Sequence, residues 1–220
     1  VQAPSPGRYR RTVAFDDPAP LPRPSALQAP QARHLRAVLA DLPEITPSSL
    51  EALRRDHPAL SPDLISAIAT QARLQTRAAP RIGDLALTWI LEDAALQQVT
   101  RLDVARYRAG ELVRRLGAGA VADLGCGLGV DTFALAEAGC TVLAVERDPW
   151  RAEAARVNLA SLGDRVEVRL MDAHDLTDAD WGRLRGAYVD PARRRGDAPR
   201  TRDGSRPRPL ADPQDWEPSW

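Results

Sequence analysis

The sequence has no lysine, so all 30 of its basic residues are arginines, and 30 aspartates and glutamates balance them to a net charge of zero. The absence of lysine excludes mechanisms that need a lysine amine, such as a lysine Schiff base or a phosphate-binding loop with lysine. Zero net charge argues against nucleic-acid binding by overall charge, although a local basic patch stays compatible with it.

Cysteine and long apolar runs are scarce as well. Cys126 and Cys140 are the two cysteines of the sequence, too few for a disulfide framework, and this usage is typical of a cytoplasmic protein. No apolar run in the sequence reaches the roughly 18 residues needed to cross a membrane, so we expect no membrane partner. The three histidines lack metal-ligand spacing to each other or to cysteine, and the sequence therefore predicts no metal site.

The nineteen prolines are unevenly distributed and indicate where the compact part of the chain lies. Seven fall within residues 1–30 and six within the last 31 residues, whereas the long stretch between them contains six. Proline-rich segments without hydrophobic periodicity favour extended chain over packed structure. The predicted organisation is a disordered arm over 1–30, a helical N-terminal unit over 31–98, a compact core over 99–192 and an Arg/Pro-rich tail over 193–220.

Helix-start signals recur in the N-terminal unit. The dipeptides Thr46-Pro47 and Ser61-Pro62 each combine an N-cap hydroxyl with proline at the first helical position. We also expect helices over residues 31–42 and 84–98. Because the unit is too short to bury much apolar surface alone, we expect it to dock on the domain that follows.

A capping-box spacing between Thr100 and Asp103 predicts a further helix that ends near Gly117. Beyond Gly119, short apolar runs alternate with helical stretches, a pattern typical of a parallel sheet covered by helices on both faces. The predicted fold class is α/β, with a Rossmann-like sheet preceded by a small all-helical unit. Predicted strands cover residues 120–124, 141–146, 166–172 and 186–190, with helices over 130–138 and 149–162.

The segment from Asp123 to Gly129 reads D-L-G-C-G-L-G and lies directly between the first predicted strand and a helix. Glycines at these positions allow a sharp turn and a close approach of the backbone to a ligand. The free amides at the start of the next helix favour an anionic group. A dinucleotide fingerprint requires a small third residue at position 130, and Val130 there disfavours a nicotinamide oxidoreductase.

Acidic residues end the next three predicted strands. Glu146 follows Gly125 by 21 positions (146 − 125), the distance at which a carboxylate can accept both hydroxyls of a ribose. Asp172 ends the third strand, and Asp190 with Pro191 ends the fourth. Four strand ends with these residue types in this order are more specific than a glycine loop alone.

Together these motifs resemble class I S-adenosylmethionine-dependent methyltransferases. The resemblance implies that the glycine loop forms the cofactor bed with Asp123 near the methionine amine, that Glu146 binds the ribose and that Asp172 binds the adenine. It also implies that Asp190 and Pro191 hold the acceptor nitrogen and are the catalytic pair. The cofactor-binding residues predicted in this way are Asp123, Gly125, Cys126, Gly127, Gly129, Glu146, Arg147, Asp172 and Ala173.

A closer resemblance extends over residues 40–195, through the helical prefix, the glycine loop and the run D-P-A-R-R-R. It is to bacterial THUMP-like-domain methyltransferases, which are similar to the trimethylguanosine synthase group. The resemblance implies a nucleic-acid acceptor, RNA before DNA, and places Gln98, Thr100 and Arg108 at the methionine end of the site. Ala192 replaces the second proline of the D/N-P-P-aromatic pattern of amino-directed enzymes, and no aromatic residue follows within two positions. Any stacking on the acceptor base must therefore come from elsewhere.

Two further features bear on activity. Thirty residues follow Asp190, without strand alternation, so we expect a sheet shortened at its C-terminal side. The tail from Arg193 to Arg208 carries seven arginines and two aspartates, and such a run can follow a phosphate backbone. Two alternatives therefore stay open: a non-catalytic methyltransferase-fold module that binds RNA or a protein partner, and a methyltransferase acting on a small molecule.

Overall fold

The computed structural model describes residues 22–189 of the chain. Within that range the helices are α1 (Pro24–Leu27), α2 (Pro30–Ala40), α3 (Pro47–Asp56), α4 (Pro62–Ile82), α5 (Leu85–Thr88), α6 (Asp93–Gln98), α7 (Leu102–Leu116), α8 (Val130–Glu137), α9 (Pro149–Leu159) and α10 (Asp178–Trp181). Short 3₁₀ segments cover Ala160–Arg165 and Ala173–Asp175.

In the described part of the chain, four parallel strands form one sheet. They are β1 (Ala120–Leu124), β2 (Thr141–Glu146), β3 (Val166–Leu170) and β4 (Gly186–Val189). Their order across the sheet is β3-β2-β1-β4, so the chain moves outward from β1 to β3 and then returns to the other side of β1. This doubly wound arrangement is the Rossmann-like α/β fold that the sequence predicts.

The helix starts follow from local sequence. Thr46 accepts a hydrogen bond from the amide of Ser49 at the start of α3, and Ser61 accepts one from Leu64 at the start of α4. Asp148 accepts one from Arg151 and begins α9 in the same way. Each cap satisfies an amide that has no partner within its own helix.

Two hydrophobic clusters hold the layers together. The larger one joins residues of the helical unit, such as Ile68, with Val121 and Val142 on one face of the sheet. The smaller one lies on the other face, where Leu143 and Val145 pack with Leu176. The larger cluster runs without a break from α1 to α9, which confirms that the helical unit docks on the sheet.

The predicted arm is partly wrong. Residues 24–27 form α1, and Leu27 is 1% exposed. Ser25 donates through its amide and its hydroxyl to Glu153 of α9, and the indole of Trp150 donates to the carbonyl of Pro22. These contacts are with residues more than 120 positions away, so a local composition argument could not find them. Residues 1–21 and 190–220 lie outside the described range.

The prediction of one helix over 84–98 is wrong, because the chain is extended at residues 89–92, between α5 and α6. The capping box is wrong too. Helix α7 begins at Leu102 with Arg101 as its N-cap, so Thr100 is outside the cap position, and the Asp103 carboxylate accepts the amide of Val104. Strand β3 ends at Leu170, two residues earlier than predicted. Among the described residues, no helix has the length and apolarity to cross a bilayer.

Candidate functional site

The site predicted from the sequence lies at the carboxyl ends of β1 and β2, next to the point where the strand order reverses. Leu124 pairs with Val145 of β2 on one side and with Val189 of β4 on the other. In open parallel sheets, the crevice outside such a reversal is where ligands bind. The glycine loop, residues 125–129, leaves the sheet at this point and leads into α8.

The three glycines of the loop have φ angles of 81° at Gly125, 56° at Gly127 and 96° at Gly129, all in the left-handed region. The amides of Gly125 and Cys126 both donate to the carbonyl of Val145, at 2.9 and 3.0 Å, which ties the loop to β2. A Cβ added at Gly127 would meet nothing within 4 Å. The loop therefore presents bare backbone to open space at Gly127, as a ligand bed requires.

Glu146, at the end of β2, is directed onto this loop and is 7% exposed. One carboxylate oxygen accepts the amide of Gly127 and the other accepts the amide of Asp148, both at 2.9 Å. A carboxylate oxygen has two acceptor positions, so each can still accept a hydroxyl from a ligand. The structure thus brings together two of the predicted residues, Gly127 and Glu146, by direct contact.

Asp123 lies below the loop, at 2% exposure, with its carboxylate accepting the hydroxyl of Thr132 at 2.5 Å. Burial is the main cause of a pKa of Asp123 raised to about 7; the nearby carboxylates of Asp131 and Glu146 contribute to the rise, and the Thr132 hydrogen bond opposes it. The carboxyl of Asp123 therefore changes its charge near neutral pH, directly under the loop.

Cys126 is a packing residue of the loop. Burial, followed by the negative charges of Asp123 and Glu146, raises the pKa of its thiol well above the usual value, so the thiolate needed for nucleophilic chemistry is suppressed. Cys140 is buried directly before β2, and both cysteines are free. Among the described residues, no group of three His, Cys, Asp or Glu side chains could hold a metal ion.

The remaining predicted residues have different positions. Asp172 lies two residues beyond the end of β3 and accepts the amide of His174, which caps the short 3₁₀ turn. Ala173 packs against the smaller core, and Arg147 is exposed next to Glu146. Asp190 and Pro191 lie outside the described residues, as does the Arg193–Arg208 tail.

The three residues that the resemblance places at the methionine end differ in their position and exposure. Arg108 of α7 donates to the hydroxyl of Tyr188 on β4 at 2.6 Å, so it reaches the strand beside β1. Gln98 is exposed at the end of α6, and Thr100 is half-buried in the extended chain before α7.

Sequence reasoning missed two contacts next to the site. The side-chain amide of Asn158 on α9 donates to the carbonyl of Leu128 in the glycine loop, at 3.1 Å. Arg151, in the first turn of α9, forms a half-buried ion pair with Glu92 at 2.6 Å. Neither residue belongs to a motif, and their partners are 30 and 59 positions away, so the sequence carried no local signal for them.

Comparison with known proteins agrees with this geometry. Residues 121–183, which contain the glycine loop, Glu146 and Asp172, match a family described as "Methyltransferase domain". Two proteins of Mycobacterium tuberculosis, from strains CDC 1551 and H37Rv, are each 37% identical over 127 residues and are named uncharacterized S-adenosylmethionine-dependent methyltransferases. The alignments cover 55% of this chain and 33% of each relative, so the chain spans about a third of the length of these curated relatives.

A solved structure from Porphyromonas gingivalis W83, described as a proposed methyltransferase, is similar over 56% of this chain and 35% of its own, with 23% identity and a TM-score of 0.43. The matched family and the names of the relatives both indicate a methyltransferase, and the relatives' names give S-adenosylmethionine as the cofactor.

The site residues fit this cofactor in two respects. Gly127 leaves open the space that a side chain would fill, and Glu146 keeps acceptor capacity for hydroxyls on both carboxylate oxygens.

Proposed function

We propose that this chain binds S-adenosylmethionine at the glycine loop and takes part in methyl transfer. The observation that carries the proposal is the contact between Glu146 and the amide of Gly127, because it joins the ribose-type acceptor to the loop that leaves room for a ligand. The family match over residues 121–183 supports the same activity.

S-adenosylmethionine supplies a methyl group already activated by its sulfonium, so positioning is the main task left to the protein. Correct positioning of two reactants can account for about 7–11 kcal/mol of a reaction barrier. In this proposal the glycine loop holds the cofactor, Glu146 binds its ribose hydroxyls, Asp172 orients its adenine, and Asp190 with the Pro191 carbonyl accepts hydrogen bonds from the acceptor nitrogen.

For the acceptor we propose a nucleic acid, with RNA favoured, in a cytoplasmic protein. Support comes from the seven arginines between Arg193 and Arg208 and from the resemblance to THUMP-like-domain methyltransferases of the trimethylguanosine synthase-like group. Asp190 is the residue that directly follows Val189 of β4, the strand beside the glycine loop's own strand.

Cofactor binding is tested by calorimetric titration of the chain with S-adenosylhomocysteine, with NAD as the control ligand. The Glu146→Gln variant turns an NH₂ group toward one of two backbone donors, so we expect the binding free energy to weaken by about 1.5–3 kcal/mol, or roughly 10- to 150-fold in affinity. Glu111→Gln, which changes a carboxylate of α7 that pairs with Arg114, is the matched control and should bind like the unmodified chain. Equal affinity for NAD, or no loss in Glu146→Gln, would contradict the proposal.

The acceptor is tested by transfer of labelled methyl groups to total cellular RNA, with total DNA as the control. We expect label in RNA and its loss in Asp190→Ala, because the acceptor nitrogen loses its hydrogen-bond partner. Label of equal amount in both proteins would refute the role of Asp190, and label in DNA alone would refute the RNA acceptor.

A further inference from the structure

The extended residues 89–92, which we call the strap, connect α5 with α6 and are held by side-chain amides instead of a neighbouring strand. Gln71 of α4 bonds both backbone groups of Leu91, at 2.9 and 2.6 Å. Gln75 donates to the carbonyl of Trp89, and Asn158 bonds both backbone groups of Ile90, at 2.7 and 3.1 Å. All three amide side chains are buried.

One of these amides also reaches the glycine loop. Besides its two bonds to Ile90, Asn158 donates to the carbonyl of Leu128. A single buried side chain therefore joins the strap to the loop. Because buried amides are costly to leave unpaired, a shift of either segment has to be accommodated by the other.

The far end of the strap reaches the other half of the site. Glu92 pairs with Arg151 at 2.6 Å, and the amide of Arg151 donates to the carboxylate of Asp148. The amide of Asp148 in turn donates to Glu146. Both parts of the site are thus linked to the strap through residues of α9. The glycine loop is linked at Leu128 through Asn158, and the carboxylate of Glu146 is linked through Arg151 and Asp148.

We propose that Asn158 and the Glu92–Arg151 pair are positioning residues for the cofactor site, so that ligand binding at the glycine loop and seating of the strap are coupled. The inference rests on the proposed function, since it assigns these residues to the same site. It gives the helical unit a role in binding, because α4 supports the glycine loop through the strap.

Amide hydrogen exchange in the unmodified 220-residue chain tests the coupling without any substitution. The amides of Ile90 and Leu91 donate to the side chains of Asn158 and Gln71, so their exchange reports directly on the strap. We expect saturating S-adenosylhomocysteine to slow exchange at both amides by about tenfold or more, together with slowing at Gly127. Slowing at Gly127 with no change at Ile90 and Leu91 would overturn the inference and leave the proposed function intact.

Two variants test the role of Asn158. Asn158→Asp has the same shape and keeps an acceptor for Ile90, but it turns a carboxylate oxygen toward the carbonyls of Leu128 and Ile90. We expect at least tenfold weaker S-adenosylhomocysteine binding and loss of the exchange response at Ile90. Ile65→Ala, a buried residue of α4, is the control for lost stability and should bind normally below its melting temperature.

Three further results would overturn the inference. Equal affinity in Asn158→Asp and the unmodified chain would remove the positioning role, and equal weakening in Ile65→Ala would show that loss of stability alone explains the effect. Failure of S-adenosylhomocysteine to bind the unmodified chain would overturn the proposed function and this inference with it.

Discussion

The Asp123 carboxyl lies under the glycine loop with the Thr132 hydroxyl as its hydrogen-bond donor. Its raised pKa of about 7 follows mainly from burial. At pH values between the ordinary pKa of 3.8 and about 7, Asp123 is protonated in the folded chain and ionised in the unfolded chain. Stability from this group is therefore present at low pH and is lost as pH rises through 7.

The Asp123→Asn variant should remove this pH dependence, because an amide can also accept the Thr132 hydroxyl and carries no charge. We expect its free energy of unfolding to change less than that of the unmodified chain between pH 5 and pH 8. At pH 8 it should be the more stable of the two by a few kcal/mol, at about 1.4 kcal/mol per pKa unit. Urea unfolding of the two proteins between pH 5 and pH 8 measures the pH dependence of the unfolding free energy and the difference at pH 8. Asp41→Asn, an exposed carboxylate, is the control, and parallel curves for Asp123→Asn and the unmodified chain would contradict the prediction.

Arg36 of α2 is buried at 2% exposure, and burial, with the charge of Arg33 adding to it, lowers its pKa to about 10. One guanidinium nitrogen donates to Gln28, while the other two have no hydrogen-bond partner within the described residues. A buried donor without a partner costs about 1–3 kcal/mol.

Arg36→Met keeps a long apolar stem and removes the unpaired donors. We therefore expect the variant to unfold at higher temperature, with a gain in unfolding free energy of about 1 kcal/mol. Arg33→Met, on the exposed side of the same helix, should change the melting temperature little. A lower melting temperature for Arg36→Met would mean that the guanidinium stabilises the fold.

At the scale of helices and strands, sequence reasoning succeeded where a signal was local. Strands β1 and β2 have the predicted bounds because continuous apolar runs are required when a strand is buried on both faces. The strap was missed because its hydrogen bonds come from side chains 20 and 68 positions away. A helical pattern over 84–98 cannot reveal that distant amides stabilise extended chain in its middle.

The glycine loop allows stability and binding to be separated within one element. A Cβ at Gly129 would lie 2.8 Å from Leu159, whereas one at Gly127 would meet open space, and both glycines have positive φ. Gly129→Ala should therefore lose about 2–4 kcal/mol of unfolding free energy, from backbone strain and overpacking together. Gly127→Ala should lose about 1–2 kcal/mol from strain alone.

The loss of ligand affinity should rank these two glycine variants in the opposite order to the loss of stability, at temperatures where both are folded. Gly127→Ala places a methyl group in the space open to a ligand, so we expect it to weaken S-adenosylhomocysteine binding more strongly than Gly129→Ala does. Urea unfolding and calorimetric titration of the two variants measure both quantities. A larger loss of stability in Gly127→Ala than in Gly129→Ala would contradict the assignment of open space to Gly127.

At the scale of the whole molecule, the helical unit and the sheet share one hydrophobic core. The shortness of the unit correctly indicated that it docks on the domain that follows. The motifs assigned Gly127 and Glu146 to one predicted site, and the structure has these two residues in contact. The support behind them, from α1 and α4 through the strap to α9, depends on packing between distant segments. Such packing leaves no periodic trace in the sequence.

Leu27 tests whether this core is one cooperative unit, because it lies in α1, the first described helix, within a segment whose composition predicts disorder. Its side chain is 1% exposed and belongs to the larger core. Leu27→Ala should therefore cost about 2–5 kcal/mol of unfolding free energy, as for a leucine in any well-packed core.

The loss should appear in a single transition that tryptophan fluorescence and far-ultraviolet circular dichroism report at the same urea concentration. Leu42→Ala, a leucine 40% exposed, should cost much less. Two separate transitions, with Leu27→Ala shifting one and not the other, would mean that the helical unit and the sheet fold independently.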